Sequence, residues 1–329
     1  MGIPMSRYRE IELSRVRTET VGRRRSKVEA GSMSKPVAAG ATFVAFLESL
    51  PDVLAAKDFR ELVKKIVSAV HRKKPVLVMS GAHVIKTGLG PVLIDMMENR
   101  LIQGIAFNGA CAVHDAELAY FGKTSEDVAA SLKTGRFGMA RETGELLNLT
   151  VRQGMDQKLG FGEAIGKRIH EEKPPFGQIS ILGNAYRLGI PVTVHVALGT
   201  DIVHQHANAD GAAIGELSLR DFRIWAELVS GIHDGGVVLL FGSAVILPEV
   251  FLKALTLARN VKGPVRSFTT ASFDMFRHYR PRVNVVERPT QEDGKGYTFV
   301  GHHEIMIPLL AAAVKEGLKQ GTRNPGKES

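Results

Sequence analysis

The chain has 329 residues, with 43 Lys and Arg against 34 Asp and Glu, 44% hydrophobic residues and a single cysteine, Cys111. This length can bury a large core without disulfides or metals. One cysteine excludes a disulfide framework and any multi-cysteine zinc or iron–sulfur site. No apolar run reaches the ~20 residues that a membrane helix needs, and no leader pattern is visible. We therefore expect a soluble cytoplasmic protein.

The net charge of +9 is concentrated at the two ends of the chain. Residues 1–40 contain nine Lys and Arg and four Glu, and residues 315–329 contain four Lys and Arg and two Glu, which leaves +2 on the residues between. Aromatic residues do not alternate with the basic ones, so no stacking surface for nucleic acid is indicated. We predict a flexible basic arm over 1–40, one α/β domain over 41–318 and a disordered tail over 319–329, with no nucleic-acid or membrane partner.

Short apolar segments alternate with helical patterns along the chain. Helical periodicity is clear over residues 58–71, where Leu62, Ile66 and Val70 recur every four residues. Thr124 to Asp127 has the form of a capping box, which predicts a helix that begins there. Six compact segments have strand character: Pro75–Met79, Gly104–Phe107, Pro191–Ala197, Gly236–Phe241, Val265–Phe268 and Tyr297–Val300. This alternation predicts an α/β fold with a mostly parallel sheet and helices on both faces.

Small and polar residues follow each predicted strand. Ligands bind outside the carboxyl ends of parallel strands, and backbone amides at helix N-termini bind phosphates, so we expect one shared cleft. The nucleotide fingerprints are absent, because Gly160–Gly166 does not follow a strand and Lys86-Thr87-Gly88 reverses the order of a P-loop. The segments at the strand ends are Ser80–His83, Asn108–Ala110, Gly199–Asp201, Gly242–Ala244, Thr269–Ala271 and Gly301–Glu304.

Histidines are frequent at these strand ends. Imidazole can act as an acid or a base near neutral pH, and a neighbouring carboxylate can fix its tautomer. We therefore predict that His114 is the acid/base and that Asp115 orients it, while Asp201 contacts a cofactor or a cationic substrate. The alternative is a divalent metal held by four imidazoles, which would come from His204, His206, His302 and His303.

Two other residues have open interpretations. Cys111 lies three residues before His114 and could be a nucleophile, but we interpret it as a buried small residue that packs a turn. Trp225 lies on a predicted helix beside Phe222 and Leu228, which indicates a place in the core or in an interface.

Several of these segments carry a family resemblance through their common order and spacing over about residues 40–315. They are Pro75–His83 with Gly88-Leu89, Asn108–Asp115, Ile190–Asp201, Phe241–Val245, Thr269–Asp274 and Pro308–Leu310. In this order the chain resembles the deoxyhypusine synthase family.

The resemblance implies a Rossmann-like fold and a homotetramer that binds NAD at its subunit interfaces. It also implies transfer of an aminobutyl group from spermidine. His114 and Asp115 would lie in the same pocket as the cofactor and the small-molecule substrate. The positions that the resemblance assigns to the NAD site are Gly109, Ala110, Asp201, Gly242, Ser243, Thr270 and Ala271.

The chain departs from the family at the catalytic lysine. The segment that corresponds to the family's Ser-Trp-Gly-Lys is Arg282–Pro289, which contains neither Trp nor Lys. Lys295, counted back from Pro308, matches a lysine that the family does not use as a nucleophile. Arg288 cannot form a Schiff base because guanidinium stays protonated.

We therefore predict an NAD-binding enzyme that acts on a polyamine or other small amine-type metabolite, without expecting aminobutyl transfer itself. A metal-dependent enzyme and a non-catalytic regulator on the same fold are the alternatives.

Overall fold

The computed structural model describes residues 7–323. The chain divides into two units, one within residues 1–56 and one within residues 57–329. The compact second unit thus begins at Lys57, later than the residue 41 predicted from composition. None of the helices in the described part of the chain is long and apolar enough to cross a bilayer.

The first unit is exposed along nearly all of its described length. It contains 3-10 turns at Leu13–Arg15 and Ala30–Ser32 and one short helix, α1, at Phe43–Ser49. The Thr42 hydroxyl caps α1 by accepting a hydrogen bond from the Ala45 backbone amide at 3.2 Å. None of the described residues up to position 40 has a buried side chain.

Six parallel strands form one sheet in the second unit. They are β1 Val76–Ser80, β2 Gly104–Asn108, β3 Val192–His195, β4 Val237–Phe241, β5 Thr269–Asp274 and β6 Lys295–Val300. Their spatial order is β3-β2-β1-β4-β5-β6, and every neighbouring pair is parallel. This is the Rossmann order, which reverses between β1 and β4. The predicted α/β class is confirmed, with a sheet that is wholly rather than mostly parallel.

Helices connect the strands and cover the sheet. In chain order they are α2 Leu54–His71, α3 Ala82–Lys86, α4 Gly90–Glu98, α5 Gly109–Phe121, α6 Val128–Lys133, α7 Arg141–Asp156, α8 Phe161–Glu172, α9 Ile181–Leu188, α10 Gly211–Ser230, α11 Ile246–Lys262 and α12 His303–Arg323. A π-helix at Pro281–Glu287 occupies most of the segment without a lysine.

The last helix extends further than the sequence pattern indicates. We predict a tail from residue 319, yet residues 319–323 belong to α12. Each added helical residue adds one backbone hydrogen bond, and no proline interrupts this stretch. Residues 324–329 of the predicted tail lie outside the described residues.

The core lies around the central strands. All residues of β1 and β4 are buried, as expected for strands covered on both faces. Trp225 on α10 is fully buried in a cluster with Leu240 and Phe251. The structure therefore places Trp225 in the core.

Polar side chains of α10 cover the outer edge of β3, which is the first strand of the sheet. The Asp221 carboxylate accepts a hydrogen bond from the Val194 amide at 2.6 Å, and the Ser218 hydroxyl donates to the Val194 carbonyl at 3.1 Å. Ser218 also accepts from the Val196 amide at 3.0 Å. These contacts satisfy backbone groups that an edge strand would otherwise leave unpaired.

The fifth strand is displaced from its predicted position. We predict a strand over Val265–Phe268, but β5 starts at Thr269, and Ser267 just before it has a left-handed φ of 58°. Thr270 and Ala271 pair with Val238 and Leu239 in the interior of the sheet. They do not lie at the carboxyl end, where the predicted NAD site would require them.

Candidate active site

A cavity of about 790 Å³ lies beyond the carboxyl ends of β2 and β3. Its walls are α5, the segment over residues 121–143 and the turn over residues 200–202. Its volume lies within the roughly 300–1,000 Å³ typical of small-molecule sites. Three predicted site residues line it together: Ala110, His114 and Asp201.

The turn from β2 into α5 brings Gly109 against Asp201. The Asn108 side chain caps α5 by accepting from the Cys111 amide at 3.1 Å. A Cβ on Gly109 would lie 1.8 Å from Asp201 Oδ2, so only glycine fits beside this carboxylate. These two predicted positions thus meet, although they are far apart in sequence.

Burial raises the pKa of the Asp201 carboxyl to about 6. The neighbouring His204 ring accepts hydrogen bonds at Nδ1 from the backbone amides of Gly199 at 3.1 Å and Asp201 at 3.2 Å. That pattern assigns the ring proton to Nε2, which lies 3.9 Å from Asp201 Oδ2. Burial also lowers the pKa of His204, so this histidine is neutral and orders the turn around Asp201.

His114 is fixed by a chain of hydrogen bonds along one wall of the cavity. His114 Nδ1 lies 2.6 Å from Thr124 Oγ1, and the Thr124 hydroxyl donates to Glu117 Oε2. Thr143 donates to the other Glu117 oxygen at 2.9 Å. Because the Thr124 proton is directed to Glu117, Thr124 Oγ1 must accept from His114 Nδ1–H. We assign the tautomer from this pattern. It leaves the lone pair on His114 Nε2, which has no hydrogen-bond partner in the described part of the chain.

The pKa of His114 is lowered from its usual value. Burial is the largest cause, and the positive charge of Lys86 acts in the same direction, while Glu117 opposes them. The imidazole is therefore neutral at pH 7. A neutral ring with a fixed Nδ1–H and a free Nε2 is suited to accept a proton from a bound substrate.

The predicted role of Asp115 as the partner of His114 is wrong. Its carboxylate is buried and accepts from the Ser180 hydroxyl at 2.6 Å and from the amides of Ile181 at 2.8 Å and Leu182 at 3.1 Å. Asp115 therefore holds the N-terminus of α9. Adjacent residues on a helix point in different directions, so His114 faces the cavity while Asp115 faces the interior. Burial raises the pKa of Asp115 to about 6.

Thr124 is not the helix cap that its sequence pattern predicts. α6 begins at Val128, and its cap is Asp127, whose side chain accepts from the Ala130 amide at 3.1 Å. The Thr124 hydroxyl is instead occupied by His114 and Glu117. The structure therefore assigns it to the cavity.

Cys111 is a buried packing residue, as interpreted from the sequence. Its Sγ lies 3.1 Å from the Ser80 carbonyl oxygen and 3.0 Å from Asn108 Oδ1. Burial raises the pKa of the thiol well above its usual range. A protonated, enclosed thiol is a poor nucleophile.

Gly242 and Ser243 lie outside the cavity, at the point between β1 and β4 where the strand order reverses. A Cβ on Gly81 would lie 2.0 Å from the Gly242 carbonyl oxygen, so the two strand ends approach closely through their backbones. The buried His303 ring packs on Gly242, which has a φ of 63°, and lies 5.5 Å from the His83 ring between centroids. α3 connects the two regions, with His83 at this point and Lys86 at the cavity.

The four histidines of the alternative metal site do not converge. His204 and His206 follow β3, while His302 and His303 follow β6, and these strands are opposite edges of the sheet. His206 Nε2 contacts the Gly138 carbonyl at 2.8 Å, and His303 Nε2 contacts the Phe273 carbonyl at 3.1 Å. Within the described residues, no group of three or more His, Cys, Asp or Glu is placed to hold a metal ion. The predicted His204/His206/His302/His303 site is therefore wrong.

Lys295 is remote from the cavity. It is the first residue of β6, paired in register with Thr269 at the start of β5. Both residues therefore lie at the amino edge of the sheet, whereas the cavity lies at the carboxyl edge. The Lys295 ammonium lies 5.5 Å from the centre of the Tyr297 ring.

Sequence reasoning missed most of the polar wall around His114. Glu117 carries a usable signal, because residues three apart share a helix face. Thr124 and Thr143 carry none, since their contacts with Glu117 depend on how loops and helices meet. Lys86 belongs to a segment that resembles a phosphate-binding motif in reverse order, and the structure places it on the cavity wall.

A parallel sheet with this strand order and a cavity at its carboxyl edge defines a Rossmann-like α/β protein. No protein-family model matches the chain, and no curated protein matches it in sequence. Solved structures do match it in fold. One is apo ArgZ, an arginine dihydrolase from the ornithine–ammonia cycle in cyanobacteria, at 15% identity and a TM-score of 0.52, over 82% of this chain and 32% of that one.

Two further structures have comparable similarity. The complex of AgrE with ornithine and NAD⁺ matches at 14% identity and a TM-score of 0.51, over 80% of this chain and 33% of that one. A candidate deoxyhypusine synthase from Entamoeba histolytica matches at 11% identity and a TM-score of 0.50, over 85% and 95%. This chain spans about one third of the length of ArgZ and AgrE. At these identities the similarity shows a shared fold.

Proposed function

We propose that the chain is an NAD-binding enzyme that acts on a small amine-type metabolite in the 790 Å³ cavity. The observation that carries the proposal is the neutral His114, whose free Nε2 belongs to a cavity lined by carboxylates. The fold shared with AgrE, which was solved with NAD⁺ and ornithine, supports it. The fold shared with the candidate deoxyhypusine synthase supports it as well.

The residues after the carboxyl ends of β1 and β4, where the strand order reverses, fit a dinucleotide on chemical grounds. His303 Nε2 lies 3.1 Å from the Phe273 carbonyl oxygen and donates to it, and this tautomer makes Nδ1 an acceptor. That atom is buried and has no hydrogen-bond partner among the described residues. A ribose hydroxyl is a donor that would satisfy it. Gly242, Ser243 and His303 would hold this part of NAD, with Gly109 and Ala110 nearer the cavity.

NAD, when bound, would supply a hydride acceptor. The chain must then provide a neutral amine, because a nitrogen lone pair assists loss of hydride from the adjacent carbon. His114 Nε2 would take a proton from the substrate ammonium, and Thr124 would keep Nδ1–H in place. The Glu117 carboxylate would stabilise the resulting imidazolium through Thr124. Asp201 would attract the ammonium once the pH exceeds its pKa of about 6.

Aminobutyl transfer is not part of this proposal. The resemblance to the deoxyhypusine synthase family implies that this reaction needs a lysine nucleophile in the segment that corresponds to Arg282–Pro289, which contains none. Lys295 lies at the opposite edge of the sheet from the cavity. Oxidation of an amine by NAD does not itself need a covalent intermediate with the enzyme.

Calorimetry and thermal unfolding with NAD⁺ test the proposal. Binding should stabilise the folded protein by about 2.7 kcal/mol at a hundredfold excess over Kd. The variant His114→Gln should bind NAD⁺ like the wild type but lose about 10²–10⁴-fold in amine-dependent NADH formation. Absence of stabilisation by millimolar NAD⁺ would contradict the proposal.

We also propose that the protein is a homotetramer, as the family resemblance implies. Exposed apolar side chains at the carboxyl ends of β5 and β6 support self-association, namely those of Phe276, Val300 and Ile305. Light scattering coupled to gel filtration measures the mass, and a monomer at micromolar concentration would contradict this part of the proposal.

A further inference from the structure

Lys86 places an unpaired positive charge on the cavity wall. It is the last residue of α3, is exposed and lines the cavity. No ion pair involves its ammonium in the described part of the chain. It lies near enough to His114 for its charge to lower the pKa of that imidazole. Lys86 is therefore available to a ligand beside the proposed base.

The rest of the cavity offers different chemistry. Carboxylates line it at Glu117, Glu126, Glu142 and Asp201. Apolar side chains complete the wall, including Val113, Phe121 and Phe137. Lys123 lines the cavity as well as Lys86, so the cavity combines two cations, several anions and an apolar surface, which together fit a short aliphatic chain with charges of both signs.

We propose that the amine substrate of this cavity also carries a carboxylate, as an amino acid does, and that Lys86 binds this carboxylate. The inference rests on the proposed function and narrows its substrate class. A polyamine carries only positive charges, so it would leave Lys86 unpaired and be repelled by it. A molecule with an ammonium and a carboxylate satisfies both the acidic residues and Lys86.

A phosphate of the dinucleotide is the other anion that Lys86 could meet. The place of Lys86 on the cavity wall favours the substrate, because Gly242 and the unpaired His303 Nδ1, which fit a dinucleotide, lie after the ends of β1 and β4. The two anions are separable by experiment, since a phosphate contact changes NAD⁺ affinity and a substrate contact does not.

The direct test compares L-ornithine with putrescine, which is the same chain without the carboxylate. Calorimetry on the full chain at saturating NAD⁺ should show ornithine binding at least about tenfold more tightly, because a charge-assisted hydrogen bond has that effect. Lys86→Met should remove this preference and leave NAD⁺ affinity unchanged. Lys133→Met, on the exposed face of α6 and outside the cavity, is the matched control and should behave like the wild type.

Each other outcome is decisive. Putrescine binding as tightly as ornithine to the wild type overturns the inference and leaves the NAD proposal standing. Loss of NAD⁺ affinity in Lys86→Met assigns the lysine to a phosphate and overturns it too. A covalent adduct trapped on Lys86 by borohydride identifies a nucleophile and likewise overturns it. Ornithine binding that needs Lys86, in a protein that NAD⁺ does not stabilise, overturns the proposed cofactor and supports the role of Lys86. Absence of ornithine binding overturns the inference and leaves the NAD⁺ test of the proposed function standing.

Discussion

Thr124 Oγ1 lies 2.6 Å from His114 Nδ1, and its hydroxyl proton is directed to Glu117. A threonine thus stands between a histidine and a carboxylate on a shared helix, where His114 Nδ1 and Glu117 Oε2 are 3.8 Å apart. The arrangement fixes the imidazole tautomer without a direct ion pair. Because the pKa of His114 is lowered, the imidazole is neutral at pH 7 and can act as a base.

Thr124→Val should weaken catalysis without unfolding the protein. The variant keeps the shape of the side chain but leaves His114 Nδ1 without an acceptor, so the tautomers mix and turnover falls up to about tenfold. In both proteins, turnover should rise with pH as His114 loses its proton, below pH ~6.5. The acid limb of kcat/KM against pH measures this. Thr134→Val, on an exposed turn, is the control, and equal profiles for all three proteins would contradict a positioning role.

Gly109→Ala should disrupt the carboxylate side of the site. The new Cβ would lie 1.8 Å from Asp201 Oδ2, so Asp201 must move. We expect a loss of about 1–3 kcal/mol in the free energy of unfolding and weaker binding of amines. Gly215→Ala in α10 has nothing within 4 Å of its Cβ and should be neutral or slightly stabilising. Urea unfolding measures the free energy of unfolding of both variants, and equal changes in the two would contradict a role for the contact between Gly109 and Asp201.

Most of the sheet could be predicted from the sequence because buried parallel strands are continuously apolar. β5 could not, since Thr269, Thr270 and Ser272 are polar yet buried. A pattern rule that seeks apolar residues therefore selects Val265–Phe268, which the left-handed Ser267 prevents from joining the sheet.

The site was predictable only where it follows directly from a strand. His114 and Asp201 come soon after β2 and β3, and strand ends meet at one edge. Asp115 is predicted as the partner of His114 because it is the nearest carboxylate in sequence. That prediction is wrong, since the Asp115 side chain points into the core. Thr124 and Lys86 reach the cavity through tertiary packing, which no local pattern encodes.

Cys111 should be inert in the native protein. Its thiol is enclosed and its pKa is raised by burial, so a disulfide reagent at pH 8 should label it only after denaturation. Cys111→Ala should retain amine-dependent turnover. Rapid labelling of the folded protein together with loss of turnover in the alanine variant would restore the nucleophile interpretation.

Asp221 should make stability depend on pH. Burial raises its pKa to about 7, although the amides of Gly162, at 2.9 Å, and Val194, at 2.6 Å, donate to its carboxylate. The folded pKa lies above the unfolded value of about 3.9. The contribution of Asp221 to stability is therefore complete below pH ~4 and is lost as the pH rises toward 7.

Asp221→Asn keeps an oxygen acceptor for both amides but carries no charge, so its stability should fall less between pH 4 and 8. The difference should be on the order of 1–3 kcal/mol at pH 8, measured by urea unfolding across this range. Some slope should remain, because the pKa values of Asp115 and Asp201 are raised as well. Asp156→Asn, an exposed position on α7, should leave the wild-type slope unchanged. If Asp221→Asn also keeps that slope, the buried carboxylate at the β3 edge is not the titrating group.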